Sequence, residues 1–379
     1  MKKLLTVLLS LLMVFTLVGC GEKTDNEATG GEEVETAKVN IVAVFPNKLG
    51  DKSFSDLVWS GVTNAQAKYG DKIGEVQNVQ LGGDASIIDS TLRELCEDGT
   101  WDYIITGTSS MTEGINAVTL EYPDQKFIVY DTQLDYTDGI RSNSVSYMCK
   151  QNEGSYLAGV LAASLTSDTS IAGINEEKVV GFIGGKEGTS IQDFLVGYIQ
   201  GMQSVDTECK LLFSIIGNFT DAAKAKELAE AQFKQGADVI FGVCSGAAVG
   251  IYEAAEEANG YSMGCDLDQA DIQSANYPEM AKHIVTSVVK NFDVVLCDAI
   301  GAALDGSLTW GKHYDVSLAD GGIGICENSY YDAVVTDAIK AAVKKASEDV
   351  SGGVVVVDTA YGMDPDVYAQ KKESVLLNN

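Results

Sequence analysis

The sequence predicts an α/β protein with two doubly wound lobes, and three observations favour this class. Short apolar runs alternate with helical segments from Val39 onward, which is typical of parallel strands buried on both faces. The alternation restarts after Asn152, so two similar halves follow one another. Several runs end in acids, as Tyr261–Cys265 does at Asp266. Because ligands of open parallel sheets bind beyond the carboxyl ends of the strands, these acids indicate the expected site.

The first half is expected to contain five strands. Val39–Phe45 is apolar except for one asparagine, which favours a strand covered on both faces. The remaining strands are expected at Val76–Leu81, Tyr103–Thr106, Phe127–Tyr130 and from Val145, with helices at Phe54–Lys68, Ala85–Asp98 and Met111–Glu121.

The second half repeats this order after a helix rich in small residues at Gly154–Leu165. Gly184–Gly188 resembles a phosphate loop but lacks its Lys-Ser/Thr ending, so we interpret it as a tight turn between strand and helix. Strands are expected at Val179–Ile183, Lys210–Ile216, Asp238–Val243 and Tyr261–Cys265, with helices at Ile191–Val205, Asp221–Gln235 and Ala248–Asn259.

The elements that remain are too many to extend one lobe simply. They are strands His283–Val289, Gly322–Ile325 and Gly353–Val357, with helices Val294–Asp305 and Tyr331–Ser347. We expect the chain to return to the first lobe and cross back, with three crossings near Met148, Thr286 and Trp310. The N-terminal lobe would comprise residues 39–147 plus 288–309, the C-terminal lobe 148–287 plus 310–360, and the tail 361–379.

Charge and cysteine content narrow the function classes. The formal net charge of −29 argues against a nucleic-acid partner, whose phosphates need a basic surface. Beyond Cys20 there are seven cysteines, an odd number without a C-x-x-C pair, and most lie in apolar runs. They are expected to be small buried side chains rather than disulfides or metal ligands.

The N-terminal segment has the features of an export signal. Lys2 and Lys3 precede the apolar run Leu4–Val18, which is short for a membrane span. The run ends in Leu17-Val18-Gly19-Cys20, which resembles the lipobox of bacterial lipoproteins. Residues 1–19 would be the signal peptide, Cys20 the lipid-modified first residue, and 20–38 an acidic tether that holds the protein off the extracytoplasmic face of the membrane. An ordinary secretory signal is the alternative.

From Val39 to Val357 the sequence resembles the basic membrane protein family of bacterial lipoproteins, through a series of motifs in the family's order. They are Gly50-Asp51-Lys52-Ser53-Phe54, Tyr122-Pro123-Asp124 with Phe127 and Asp131, Glu153–Gly159, Gly181–Gly185, Phe219-Thr220-Asp221, Gly236–Phe241, Asp266-Leu267-Asp268-Gln269, Thr286-Ser287 with Lys290, and Asp320-Gly321-Gly322.

The resemblance implies a type I periplasmic-binding-protein fold that serves an ABC importer of purine nucleosides. The expected partners are a small-molecule ligand, the transporter permease and the membrane through the lipid anchor. The protein would be a monomer without catalytic activity, cofactor or metal.

The resemblance and the residues together predict the ligand-binding set. Asp266 would accept hydrogen bonds from the vicinal hydroxyls of a sugar, and Asp131, which also follows a strand, from a base or a sugar. Aromatic rings from both lobes would stack on a flat ligand. The full set is Asp51, Ser53, Phe54, Ser55, Asp131, Phe194, Phe219, Gly246, Asp266 and Lys290.

Alternatives remain open for several of these residues. Phe194, four residues before Tyr198, also fits the core face of a helix. Lys290 would donate to a ribose oxygen or pair with Asp266, and it also fits a solvated surface position. Ser55 stands where the family usually has Asn, and Cys265 where it has Val, so the base is undetermined and riboflavin is a second candidate. A nucleoside-cleaving enzyme that uses Asp131, Asp266 and a metal, and a sensor without transport, are further alternatives.

We predict that the protein partitions with membranes through Cys20. Each buried methylene of an acyl chain contributes roughly 0.8 kcal/mol to anchoring. Cys20→Ser should therefore release the protein into the soluble fraction, measured by fractionation and immunoblotting. Retention of the variant in the membrane fraction would contradict the prediction.

Overall fold

The structure is a computed structural model that describes residues 38–377 of the 379. Residues 1–37 lie outside the described residues. They comprise the predicted signal peptide, Cys20 and all of the predicted tether except residue 38. The final two positions of the tail also lie outside. In the range 38–377, no helix is long and apolar enough to cross a membrane.

The first half of the chain alternates strands and helices as predicted, within a few residues at each end. In order they are β1 Val39–Phe45, α1 Phe54–Tyr69, β2 Ile73–Gln80, α2 Ile88–Asp98, β3 Tyr103–Gly107, α3 Thr112–Glu121, β4 Lys126–Tyr130 and β5 Ser144–Cys149.

The second half repeats the pattern and adds two short helices that the sequence did not indicate, α8 and α9. It runs α4 Gln151–Thr166, β6 Val179–Gly184, α5 Thr189–Val205, β7 Lys210–Ile215, α6 Ala222–Lys234, β8 Ala237–Val243, α7 Val249–Ala258, β9 Tyr261–Asp266, α8 Gln269–Ser274 and α9 Pro278–Ala281.

The last part of the chain contributes to both halves. Its elements are β10 Ile284–Lys290, α10 Phe292–Asp305, β11 Lys312–Val316, β12 Ile323–Ile325, α11 Ser329–Val334, α12 Asp337–Ser351 and α13 Pro365–Glu373.

The strands form two six-stranded sheets. The first has the order β11-β5-β4-β3-β1-β2 and is parallel throughout. The second has the order β12-β10-β9-β8-β6-β7 and is parallel except for β12. We call the first sheet with α1–α3 and α10 the first lobe, and the second sheet with the other helices the second lobe. The chain passes between the sheets after β5, β10 and β11, which confirms the predicted fold class.

The burial of β1 explains its continuous apolar sequence. Ile41, Ala43 and Phe45 pack in one cluster with residues of α1 and α10, whereas Val42 and Val44 pack in another with residues of α2 and α3. A fully buried Val or Ile side chain contributes about 1.5–3 kcal/mol to folding. The strand is therefore fixed from both faces, and so is the direction of the loop that follows it.

The small residues of α4 allow a close helix pair at the centre of the second lobe. A Cβ added at Gly159 would lie 2.1 Å from the Tyr198 carbonyl oxygen of α5, and one at Gly201 would lie 2.0 Å from the Tyr156 carbonyl oxygen of α4. Any larger residue would push the two helices apart. This packing holds α5, whose N-terminus reaches the cleft between the lobes.

The main topological difference from the prediction is β11. Residues 312–316, expected in the C-terminal lobe, pair with β5 in the first sheet. Their sequence, Lys-His-Tyr-Asp-Val, forms a partly exposed edge strand that is too short and too polar for the pattern to predict. The third passage therefore follows Val316 rather than Trp310, and the second follows Lys290 rather than Thr286. The residue limits of the lobes as moving units stay a prediction.

Two predictions near the C-terminus are wrong. Tyr331–Ser347 is divided between α11 and α12, because Val335 and Thr336 adopt extended backbone angles. Gly353–Val357 forms no strand, and its Val354 and Val356 side chains are 75% and 80% exposed. Side chains of Gln200 and Asn152 bond to the carbonyl groups of Val356 and Val357 instead.

The seven cysteines in the described range are free thiols, five buried and two half-buried. Burial raises the pKa of Cys149 and of Cys209 to about 12. At pH 8 such thiols are almost wholly protonated, and the thiolate is the reactive form.

We predict that, in protein carrying Cys20→Ser, at most the half-buried Cys96 and Cys326 react with Ellman's reagent at pH 8 within minutes. In urea, all seven should react, because unfolding removes the burial that raises their pKa. Rapid modification of more than two thiols in the native protein would contradict this.

Candidate functional site

A cavity of about 430 Å³ lies between the two lobes, where the carboxyl ends of both sheets face one another. Its lining follows eight strand ends, three in the first lobe and five in the second. In chain order the lining segments are 45–47, 51 and 54–55 after β1, 108–110 after β3, 130–131 at β4, 186–191 and 194 after β6, 219 after β7, 243–245 at β8, 266 at β9 and 290 at β10.

The backbone at these strand ends is unusual. Asp131, Asp266, Thr108 and Ser245 border the cavity with φ of +52°, +71°, +81° and +47°. Lys52, with φ of +50°, lies one residue from the lining segment at 51. A left-handed conformation costs a non-glycine residue roughly 1–3 kcal/mol and occurs mainly at functional sites. The sharp turn at the end of each of these strands directs the side chain toward the cleft.

Lys290 and Asp131 form a buried ion pair across the lobes. The Lys290 Nζ lies 2.7 Å from Asp131 Oδ1, and the side chains are 3% and 12% exposed. Burial by itself lowers the pKa of Lys290, but the carboxylates of Asp131 and Asp266 outweigh it, so the pKa lies above its ordinary value. The lysine is therefore a permanent cation at the floor of the cavity, rather than the solvated surface residue that the sequence left open.

Asp266 is fully buried beside this pair. Its Oδ2 accepts a hydrogen bond of 2.6 Å from the Ser53 hydroxyl of the other lobe, and its Oδ1 faces the Cys265 thiol at 3.4 Å. Burial raises the pKa of Asp266, while Lys290 and the Ser53 hydroxyl oppose part of that rise. The carboxyl group has one strong protein donor, and a thiol is a weak one.

The loop after β1 is held in shape by two other acids. Asp51 accepts hydrogen bonds from the backbone N–H groups of Ser53, Ser55 and Asp56. Asp56 accepts from Gly50 and Lys52. The carboxylate of Asp51 therefore organises the loop and the start of α1, although Asp51 also borders the cavity.

Four phenylalanines border the cavity; Phe45 belongs to the core cluster of β1, and the three predicted ligand contacts have different surroundings. Phe54 packs against Tyr130 and, edge to face, against Phe292. Phe194 is 2% exposed and contacts Phe241, so most of its ring belongs to the core, as one reading of the sequence expected.

The Lys290 Nζ lies 5.1 Å from the Phe54 ring centroid and 5.2 Å from that of Phe194. These two rings thus hold the ammonium group between them by cation–π attraction. Phe219 is half-buried over Gly185, where a Cβ would lie 2.3 Å from its ring. The glycine makes room for this third ring.

The structure brings eight of the ten predicted ligand-binding residues to the cavity. They are Asp51, Phe54, Ser55, Asp131, Phe194, Phe219, Asp266 and Lys290. Ser53 lies behind the surface, in contact with Asp266. Gly246 does not border the cavity, but its neighbour Ser245 does. Ligand contact by each residue remains a prediction.

The sequence analysis missed a set of polar residues on the cavity wall. They are Asn47, Thr108, Ser109, Ser110, Lys186, Glu187, Thr189, Ser190 and Ser245. The sequence does contain a pattern that indicates part of this set, because Thr-Ser-Ser directly follows β3. Hydroxyl groups at a strand end have the same topological reason to face a ligand as the acids do.

The sequence matches a known family across almost the whole folded region. The family model described as "Bmp: ABC transporter substrate-binding protein PnrA-like" matches residues 38–356. The chain belongs to the Bmp family. The recognition from sequence is thus confirmed, and Bmp proteins are ABC transporter substrate-binding proteins rather than enzymes.

Relatives and solved structures agree with this assignment. The chain is 26% identical to the ABC transporter nucleoside-binding protein BmpA of Lactococcus lactis, over 92% of this chain and 96% of the relative. It is 27% identical to an uncharacterized lipoprotein of Pyrococcus abyssi, over 90% of this chain and 79% of the relative. An ABC transporter solute-binding protein of Aeropyrum pernix shares the fold, with a TM-score of 0.75 and 22% identity over 89% of this chain and 98% of that one.

The Bmp fold brings no metal-binding cluster to the cavity in the part of the chain that is described. Between residues 38 and 377, no group of three or more His, Cys, Asp or Glu side chains is arranged to hold a metal ion. His283 bonds to the Gly260 carbonyl, and His313 to Ser146 and Asp315, so neither histidine borders the cavity.

We predict that Lys290→Met destabilises the protein by about 3–5 kcal/mol at pH 8, because it leaves buried carboxylates without their cation. Loss of Lys290 removes a charge that lowers the pKa of Asp266, so that pKa rises further above its unfolded value. The folded variant then binds more protons than the unfolded chain above about pH 4, and its stability falls as pH rises. The loss should therefore be smaller at pH 5 than at pH 8.

Urea unfolding at the two pH values measures this, with Lys68→Met as the matched control. Lys68 pairs with Asp298 on the surface, with both side chains more than half exposed, so that variant should stay close to the parent protein. Equal loss for Lys290→Met at pH 5 and pH 8 would contradict the electrostatic explanation.

Proposed function

We propose that this Bmp protein captures a purine nucleoside in the cleft between its lobes and delivers it to the permease of an ABC importer. The name of the Lactococcus lactis relative, a nucleoside-binding protein, supports this class of ligand. The acidic surface and the signal-like N-terminus support a monomeric, lipid-anchored protein on the extracytoplasmic side of the cell membrane. Two relatives from Pyrococcus species that carry the name lipoprotein support the anchor.

The observation that carries the proposal is a pair of buried carboxylates whose acceptor capacity exceeds the donors around them. Asp131 Oδ1 bonds to Lys290, and among residues 38–377 no donor bonds to its Oδ2. Within the same range, the Cys265 thiol is the only donor to Asp266 Oδ1. Both acids border the cavity, so acceptor capacity that the protein leaves unused there favours a ligand that brings several hydroxyl or N–H groups.

The aromatic side chains around these acids favour a flat ring on the same ligand. Phe54 and Phe219 both border the cavity and both keep part of their surface exposed. A stacked aromatic pair contributes about 0.5–1.5 kcal/mol beyond burial. A ribonucleoside combines a flat base with vicinal hydroxyls and thus fits both features. Riboflavin also combines a flat ring system with hydroxyl groups and is the second candidate.

A thermal-shift panel of inosine, guanosine, adenosine, free bases, ribose and riboflavin tests the ligand class. A ligand at 100 times its dissociation constant adds about 2.7 kcal/mol to stability. Stabilisation by purine nucleosides alone is expected. Stabilisation by riboflavin alone would favour the second candidate.

We predict that Asp266→Asn weakens ribonucleoside binding ten- to a hundredfold. A hydrogen bond to a charged group contributes roughly 1.5–3 kcal/mol, and Asn keeps the shape without the charge. 2′,3′-Dideoxynucleosides lack the vicinal hydroxyls, so they should bind the parent protein poorly and lose little affinity in the variant. Calorimetric titration of inosine and 2′,3′-dideoxyinosine measures both effects.

Asp221→Asn is the matched control for this substitution. Asp221 is an exposed acid that caps α6 through the Lys224 N–H, and Asn caps a helix about as well as Asp. That variant should bind both nucleosides as the parent does. Equal losses for inosine and dideoxyinosine in Asp266→Asn would assign Asp266 a structural role.

A further inference from the structure

Two hydrogen bonds join the loop after β1 to the end of β9 and the start of α8 across the cleft. They differ in whether a ligand in the cavity can reach them. Ser53 bonds to Asp266, which borders the cavity and is a proposed ligand contact. Gln269 Nε2 donates to the Lys52 carbonyl oxygen at 3.0 Å, and neither of these residues borders the cavity. A ligand can compete for the first bond but has no access to the second.

Three contacts within the second lobe hold Gln269 in place. Its backbone N–H donates to the Ser287 hydroxyl, and its Nε2 donates also to the Cys265 carbonyl at 3.3 Å. A Cβ at Gly264 would lie 2.6 Å from Gln269 Cγ, so the glycine leaves the space that this side chain fills. The side chain is thus fixed, with its second N–H group directed at the opposite lobe.

The partner in the first lobe is equally constrained. Lys52 has a left-handed backbone, with φ of +50°, and its N–H donates to Asp56 Oδ2 at 2.8 Å. This conformation turns the carbonyl group of Lys52 toward the second lobe. Lys52 is thus strained, with its N–H bonded to Asp56 and its carbonyl group bonded to the buried Gln269. Such a strained position persists only where its surroundings fix it, so the contact with Gln269 is specific.

We propose that Gln269 is a positioning residue that holds the two lobes closed through the Lys52 carbonyl group, independently of the ligand. Two-lobed binding proteins close around their ligands by hinge motion, and the apparent dissociation constant is the intrinsic one divided by the closed fraction. Gln269 therefore sets the affinity for every ligand that the closed cavity accepts, by one common factor. The affinity part of this inference rests on the proposed function, whereas the effect on lobe closure does not.

Small-angle X-ray scattering of ligand-free protein tests closure directly, after unfolding in urea, dialysis and refolding to remove bound ligand. Gln269→Met keeps the size of the side chain but loses its donor, so the radius of gyration should rise above that of the parent protein. Gln269→Leu also lacks the donor, so it should open the lobes about as far.

Gln273→Met is the matched control, because Gln273 is a buried glutamine of the same helix whose side chain makes no hydrogen bond to residues 50–53. It should scatter as the parent does. Calorimetric titration with inosine and 2′,3′-dideoxyinosine should give Gln269→Met losses of about two- to tenfold that are equal for the two ligands, as expected for one neutral hydrogen bond.

An unchanged radius of gyration in both Gln269 variants overturns the proposal, and so does a loss of affinity confined to inosine, which would make Gln269 a ligand contact. Loss of cooperative thermal unfolding in both variants assigns Gln269 to the core and overturns it as well. If no nucleoside binds the parent protein, the proposed function fails, while the scattering comparison still decides whether Gln269 closes the lobes.

Discussion

The buried pair of Lys290 and Asp131 is the interaction on which the arrangement of this site depends. An ammonium group that is 3% exposed needs a negative partner, because an unpaired charge in the protein interior is very unfavourable. Asp131 supplies that charge from the other lobe, and Asp266 adds a second carboxylate to the same buried region. Lys290 is the last residue of β10, directly before the chain passes to α10. The pair therefore fixes one passage between the lobes and the floor of the cavity together.

The parallel topology explains why so many polar groups meet at this place. In each sheet the parallel strands end at the same edge, and the two edges face each other across the cavity. Left-handed residues at these ends, such as Asp131, Thr108 and Asp266, turn the chain sharply. The turns follow strands that are buried on both faces, as β1 is, and the burial free energy of these strands offsets the conformational free energy of each turn. A stable sheet thus supports strained positions that a loop alone would relax.

Sequence patterns predicted the features that depend on local order. β1 was predicted to the residue, and Asp131 and Asp266 were identified because each directly follows an apolar run. The edge strand β11 was missed because a partly exposed run of five residues, three of them polar, resembles a loop. Gly353–Val357 has a strand composition, but side chains of α4 and α5 satisfy its carbonyl groups instead. An ion pair of Lys290 with Asp266 was one expectation, but Asp131 as the bonded partner was not predicted, because the two residues are 159 positions apart and meet only through the topology.

The charged and the neutral contacts between the lobes lie in different places relative to the cavity. Lys290, Asp131 and Asp266 lie where the ligand is expected, so their interactions depend on what occupies the cavity. Gln269 and Lys52 lie outside the cavity and are neutral at the point where they meet, a side-chain amide against a backbone carbonyl. Such a bond adds little free energy by itself, which suits a contact that must break when the lobes open. Because the Gln269–Lys52 bond is neutral and lies outside the cavity, it adds no charge to the ligand site, and the cavity acids alone determine selectivity.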